Sequence, residues 1–341
     1  MMTSLERFYA AVRFQEVDRM PVDLHDFAVC AKISEKTFDR FVFDPEDMAE
    51  AQIRLQKEFG HDVLLVENGT ASLAQSMGCE VSLREDAPPA VTGAALRAIE
   101  EYDRLVVSRK ILDAPLLKAN LKTVQILRKK LGNSVAIMGR GDQGPFSLAS
   151  QLDGMDRLLE DLMDEDAEED IRRLLDFCTR ACIAYHERLL LLGVPMTSMG
   201  DSTAGPDVIS PAMYETFAMP YEKQVIEAVH RKGGLISLHI CGNATKIIDK
   251  MCSLGADVLE IDQKTDLEAA VRAAEGKCAL LGQINPVLLS GGTQQEVKAA
   301  AERILGITGG KNATGFILGP GCALGGDTPK ENIHAMLNSV K

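Results

Sequence analysis

The chain has 341 residues, 46% of them apolar and 26% charged, with a formal net charge of −13. That length and balance describe a soluble globular protein able to bury a large core, as one large domain or two small ones. The acidic balance argues against a nucleic-acid partner, which needs a basic footprint, and no run nears the roughly 18 consecutive apolar residues of a membrane span.

The opening segment MMTSLERFYAAVRF is mixed and charged, so it reads as no signal peptide and predicts a cytoplasmic protein. A first strand is expected at 20–27 (MPVDLHDF). Asp44-Pro45 then marks a helix start, an N-cap residue followed by proline at the first helical position. A strand at 62–68 (DVLLVEN) follows. The stretch from about 70 to 130 is longer than one crossover needs and predicts an insertion or extra helices. The next strand is VAIMGR (135–140). The acidic run at 160–170 reads as a solvated helix face, with a docking surface for a basic partner as the alternative. Cys178 and Cys182 fall one helical turn apart on a face that should be buried.

Beyond it come VPMTSMGDS (194–202), a helix started by Ser210-Pro211, GLISLHICG (234–242), DVLEID (257–262), ALLGQIN (279–285) and GFILGPGC (315–322). Thr328-Pro329, with Glu331 three residues after Thr328, predicts a last helix opened by a capping box. Eight strands alternating with helices favour a (β/α)8 barrel over a doubly wound open sheet, as a single domain over 1–341.

Polar residues gather at the C-terminal ends of these strands: Asp23 and His25, Glu67 and Asn68, Asp201, His239 and Cys241, Glu260 and Asp262, Gln283 and Asn285, and Cys322. In a barrel those ends share one mouth, where barrel active sites lie. His239 and Cys241 are two apart on a strand and so share a face. With Cys322 they would make a three-ligand zinc site whose fourth position is open, the arrangement of a catalytic zinc. Each ligand also has a plain alternative, because a histidine or cysteine at a strand end is commonly a packed, hydrogen-bonded residue. The remaining six of the eight cysteines read as buried or connecting residues without assigned chemistry.

A zinc held by two thiolates and one imidazole carries no net charge, yet it still lowers the pKa of a thiol at its open position. The chemistry favoured is alkyl transfer to sulfur, or polarisation of a methyl ether or alcohol oxygen as a leaving group. Around it, Asp201 is a candidate base or substrate anchor, and Glu260 or Asp262 a candidate resting fourth ligand. Asn243 and Gln283 are candidate substrate hydrogen-bonders, and His25 a residue that could line the mouth.

The chain resembles the uroporphyrinogen decarboxylase superfamily, and within it the zinc-dependent corrinoid methyltransferases typified by the methylcobamide:coenzyme M methyltransferases. The resemblance is carried by AVRFQEVDRMPVDL, GPFSLASQLDG (144–154), DSTAGPDVISPAMYETFAMPYEK (201–223), HICGNATKIIDKM (239–251), GQINPVLLSGGTQQEVK (282–298) and GPGCALGGDTPKENIHAML (319–337). It implies a (β/α)8 fold, zinc on His239, Cys241 and Cys322, and methyl transfer to or from a corrinoid. That corrinoid would be carried by a separate binding protein, and the other party would be a small methyl donor or acceptor. The decarboxylases of the superfamily bring an arginine-rich segment near the N-terminus to grip a polycarboxylate. Here DRMPVDLHDFAVCAKISE holds Arg19 as its one arginine, and unpaired buried anions are costly. Decarboxylation, and a non-catalytic barrel clamped by zinc, stand as the alternatives.

Overall fold

The computed structural model describes residues 2–105 and 111–341. In chain order the strands are β1 (Val63–Val66), the hairpin strands β2 (Glu80–Ser82) and β3 (Ala90–Gly93), β4 (Ala136–Gln143), β5 (Met196–Gly200), β6 (Leu235–Ile240), β7 (Val258–Ile261), β8 (Ala279–Ile284) and β9 (Phe316–Pro320). Seven of them form a parallel sheet in the order β1-β4-β5-β6-β7-β8-β9, and β2 pairs only with β3.

The two outer strands of that sheet are joined by residues 22 and 23. Val22 bridges Leu318 on β9 and Asp23 bridges Val63 on β1, both in parallel sense. The curled sheet therefore closes into a ring without free edges. The strand expected at 20–27 contracts to this two-residue link for a local reason. Pro21 has no N–H to give a ladder, and His25 turns into the left-handed region at φ 45°. Between β1 and β4 the chain runs through the short helix Ser72–Ser76, the β2–β3 hairpin, the 3-10 turns Ile99–Arg104 and Ile111–Asp113, and the helix Pro115–Leu131.

Alternation along the strands fills the ring in layers. Val63, Leu65, Ala136, Met138, Met196, Val258, Ala279, Leu281 and Ile317 form one buried apolar cluster, separate from the larger one between sheet and helices. The helix Ser4–Val12 plugs its lower end with Phe8 and Val12, and Thr3 and Glu6 close a reciprocal capping box at its start. Arg7 and Arg19 both reach the fully buried Asp62, each at 2.6 Å, just before β1. That pairing fastens the plug and the closing segment to the bottom of the ring.

Cys178 and Cys182 are buried in the helix Glu168–Leu191 as expected. Two helix starts behave as read: Asp44 accepts from the N–H of Asp47 at 3.1 Å and Ser210 from that of Met213 at 3.2 Å. The capping box at Thr328 does not form. Its hydroxyl donates to the Gly325 carbonyl at 2.7 Å, tightening the turn, and the helix Lys330–Asn338 starts one residue later behind Pro329. The helix begun at Pro211 also slips into a π turn over Tyr214–Ala218, where Pro220 removes an N–H from the ladder. Among the described residues no helix is long and apolar enough to cross a membrane.

Phe8 is the largest side chain of the lower plug. Phe8→Ala should cost roughly 3–5 kcal/mol, measured as a lowered urea midpoint with an unchanged slope; a loss under about 1 kcal/mol would show that the plug is not load-carrying.

Candidate metal centre

On β6 the inward face reads Leu235, Ser237, His239, with Cys241 next on the same side. Two glycines then aim the sulfurs. After Cys241 the chain turns at Gly242, φ 83°, where a Cβ would sit 2.2 Å from an Asp207 carboxylate oxygen. Before Cys322, a Cβ on Gly321 would meet the Gln263 amide nitrogen at 2.5 Å. Only a residue without a side chain lets the backbone approach this closely. The result is that His239, Cys241 and Cys322 present ligand atoms all within 4.8 Å of one another, the only such group of three or more metal-type side chains among the described residues. Both cysteines are half-buried.

The imidazole is fixed by its far nitrogen. His239 Nδ1 lies 2.9 Å from the Glu260 carbonyl oxygen, which can only accept, so Nδ1 carries the proton. The lone pair of a neutral ring is then on Nε2, 3.1 Å from Cys241 Sγ. This carbonyl–histidine pairing is how proteins orient a metal-binding imidazole. Two sulfurs and one nitrogen are zinc's preferred donors, and tetrahedral bonds of about 2.3 and 2.0 Å would set them roughly 3.5–3.8 Å apart. The observed atoms, with Nε2–Sγ at 3.1 Å and all within 4.8 Å, bracket that spacing.

Without metal, the two thiols divide one proton unequally. A hydrogen bond from Cys322 is the main reason that Cys241 is lowered to about 7, with Ser202 adding to it against the effect of burial. Giving that bond raises Cys322 to about 12, and burial pushes the same way. Burial opposes a charge on His239, yet its contact with Cys322 and the field of Glu260 leave its pKa raised.

Immediately below lies a charged layer. Glu260 accepts from the hydroxyls of Ser198 at 2.7 Å and of Ser237, and it lies 3.7 Å from Arg140 Nη1. Arg140 Nε is 4.0 Å from Glu67, and Glu67 in turn holds His25 Nε2 at 3.0 Å. Burial alone would raise both carboxyls. At Glu67 the charges of His25 and Arg140 outweigh it, and at Glu260 those of Arg140 and His239, with the Ser237 bond, so both stay below their ordinary values. His25 is lowered by burial but more strongly raised by Glu67, to about 9.

The other expected residues have different placements. Asp201 lies outside the triad: its carboxylate accepts the N–H groups of Ser147 at 2.6 Å and Phe146 at 3.3 Å, capping the helix Pro145–Asp153. Glu260 meets the triad through its carbonyl, while its carboxylate is taken up in the layer beneath. Asp262 accepts from the N–H groups of Gly242 and Lys264, each at 2.9 Å, and so shapes the turn after Cys241. Asn243 is exposed and caps the short turn Ala244–Lys246. Gln283 donates to the carbonyls of Thr265 and Asp262. His25 turns its ring to Glu67 in the charged layer, and its carbonyl accepts from Leu324, two residues past Cys322, at 3.1 Å.

Sequence reasoning passed over Arg140 and the two serines. Arg140 closes the run VAIMGR and obeys the same strand-end rule as Glu67 and Glu260. Ser198 and Ser237 interrupt apolar strands at inward positions, a quieter signal of the same kind.

Residues 3–341 match the uroporphyrinogen decarboxylase (URO-D) family. The chain is 31% identical to the methylcobamide:CoM methyltransferase MtbA of Methanosarcina mazei, over 99% of this chain and 98% of that protein. It is 28% identical to a uroporphyrinogen decarboxylase of Anaeromyxobacter dehalogenans, over 98% and 97%. A solved structure of a methyltransferase from Methanosarcina mazei superposes with a TM-score of 0.89 at 24% identity, covering 99% and 98% of the two chains. That superposition supports the same fold.

Two outcomes are expected at the triad. The protein should bind about one zinc per chain, and His239→Ala, Cys241→Ser and Cys322→Ser should each lose most of it by metal analysis; full retention would disprove the ligand set. In metal-free protein, thiolate absorbance should rise with a midpoint near pH 7, because Cys241 is a thiol below it and a thiolate above. Cys241→Ser should remove that rise. Cys322→Ala, which deletes the bond that lowers Cys241, should move it to higher pH.

Proposed function

This chain belongs to the uroporphyrinogen decarboxylase family, and we propose that within it the protein transfers a methyl group between the cobalt of a corrinoid, carried on a separate binding protein, and a small thiol. The observation that carries this reading is the triad: two thiols and one oriented imidazole converge at the barrel mouth. The names of the methyltransferase relatives support it.

Zinc on His239, Cys241 and Cys322 would lower the pKa of an incoming thiol and leave its sulfur electron-rich enough to attack carbon. Both cysteines give up their protons when they bind metal, and Cys241 is already poised to do so near neutral pH. The Glu260 carbonyl keeps Nε2 of His239 aimed at the centre. His25, whose carbonyl holds the Cys322 loop at Leu324, steadies that side of the centre. The thiolate attacks the methyl carbon, the carbon–cobalt bond breaks, and its electron pair stays on cobalt, which passes from Co(III) to Co(I). The products are a methyl thioether and the reduced corrinoid.

Relatives named as decarboxylases share the family, so that reaction is the second reading. A polycarboxylate needs cations free to pair with it. Arg19, the one arginine of the N-terminal stretch, is bound to Asp62 at the closed end of the ring. His25 is bonded to Glu67 at 3.0 Å, and Arg140 by itself is too small a cationic set for a polycarboxylate. These pairings favour methyl transfer.

Methylcobalamin mixed with the zinc-loaded protein and a panel of thiols should yield Co(I) or its oxidised product, followed by absorbance. Cys241→Ser should slow this by at least ~100-fold, the scale of a metal centre worth several kcal/mol. No turnover with any thiol, alongside formation of methyl-Co(III) from Co(I) corrinoid protein and a methoxyaromatic, methanol or a methylamine, would reverse the direction to demethylation.

A further inference from the structure

Arg140 is the one guanidinium in the layer beneath the triad, and its bonding is incomplete. It is 3% exposed. Nη1 donates to Ser198 Oγ at 2.7 Å, but the nearest carboxylate approaches are 3.7 Å to Glu260 and 4.0 Å to Glu67. Its Nε has no hydrogen-bond partner. A guanidinium used for a stabilising ion pair forms bidentate contacts of roughly 2.7–2.9 Å. The contrast with His25 is direct, since that cation is bonded to Glu67 at 3.0 Å.

Its location is equally specific. Arg140 pairs in register with Ser198, Ser198 with Ser237, and His239 follows Ser237 by two on the same face of β6. Glu260, opposite His239 in register, holds the ring through its carbonyl and approaches Arg140 through its carboxylate. Room for the guanidinium comes from Gly200, where a Cβ would fall 2.0 Å from Nη2. The fold thus keeps a buried cation with uncommitted hydrogen-bonding capacity directly under the ligand set.

A divalent metal with two thiolates and an imidazole is neutral, so a thiolate arriving there adds one negative charge to a largely buried site. Such a charge is strongly disfavoured unless a cation lies near it. We propose that Arg140 is the charge-compensating residue of the centre, favouring anionic sulfur ligands over neutral ones without touching the metal. This rests on the reading of the triad as a thiol-binding methyl-transfer centre and assigns its ligand preference to a residue outside it.

Cobalt(II)-substituted protein tests it, because a sulfur ligand adds a charge-transfer band that can be titrated. With 2-mercaptoethanol as probe, Arg140→Gln should weaken binding roughly tenfold, the effect of about one pKa unit of charge stabilisation, while imidazole, a neutral ligand, should bind as in the parent. Arg140→Lys keeps the charge and should bind the thiol within about threefold of the parent. The double variant Arg140→Gln/Glu67→Gln removes one charge of each sign and should recover most of the lost affinity. A scaffold role alone would not be rescued in this way. Unchanged thiol affinity in Arg140→Gln, or equal loss in all three variants, would overturn the assignment. Absence of a thiol band in the parent would instead overturn the thiol reading of the centre, and the assignment with it.

Discussion

A row of alternating charges buried across one level of the barrel, His25–Glu67–Arg140–Glu260, is the constraint on which the upper half of this molecule depends. Moving an isolated ion into protein interior costs several kcal/mol, and breaking a buried pair costs more than the pair contributes. The layer is tolerable because each charge faces an opposite one and because the hydroxyls of Ser198 and Ser237 serve Glu260. It separates an apolar plug below from ligand-bearing turns above. One end of the row holds the histidine of the triad through the Glu260 carbonyl, and the other meets the Cys322 loop through the carbonyl of His25. Two turns far apart in sequence are thereby tied to one rigid floor.

The backbone of His25 shows that this tie is maintained against local preference. A non-glycine residue at φ 45° carries a conformational cost of order 1–3 kcal/mol, which persists only where surrounding contacts enforce it. Here the enforcing contacts are the Glu67 bond and the Leu324 amide. The same residue that shortens the first strand therefore ends the buried row of charges.

How much of this could be read from the sequence follows from which interactions are local. His239 and Cys241 were legible because strand periodicity puts them on one face, and Cys322 because a glycine-rich turn ends its strand. The barrel was legible from eight apolar runs, and its closure survives although 20–27 contracts to two bridging residues. Thr328 was misread because its hydroxyl had two local carbonyl and amide choices, and turn closure won. Asp201 matched a strand-end pattern, but its role is fixed by Phe146 and Ser147, residues whose proximity no spacing rule reveals. Arg140 was hidden for a related reason. Its meaning comes from partners on β5 and β7 and beside β1, and from the missing side chain at Gly200.

The ring's closure sets an order of events for the chain as it is made. Val22 waits for β9, whose Leu318 it bridges, and Cys322 follows that strand by two residues. Contacts of such long sequence separation form late, after the loop entropy of the intervening chain has been overcome. The emerging polypeptide therefore presents His239 and Cys241 as an incomplete pair until Cys322 has been made. A three-point grip on metal by these residues would arise only once the last strand has docked, which would make metal loading a report of finished folding rather than a nucleus for it.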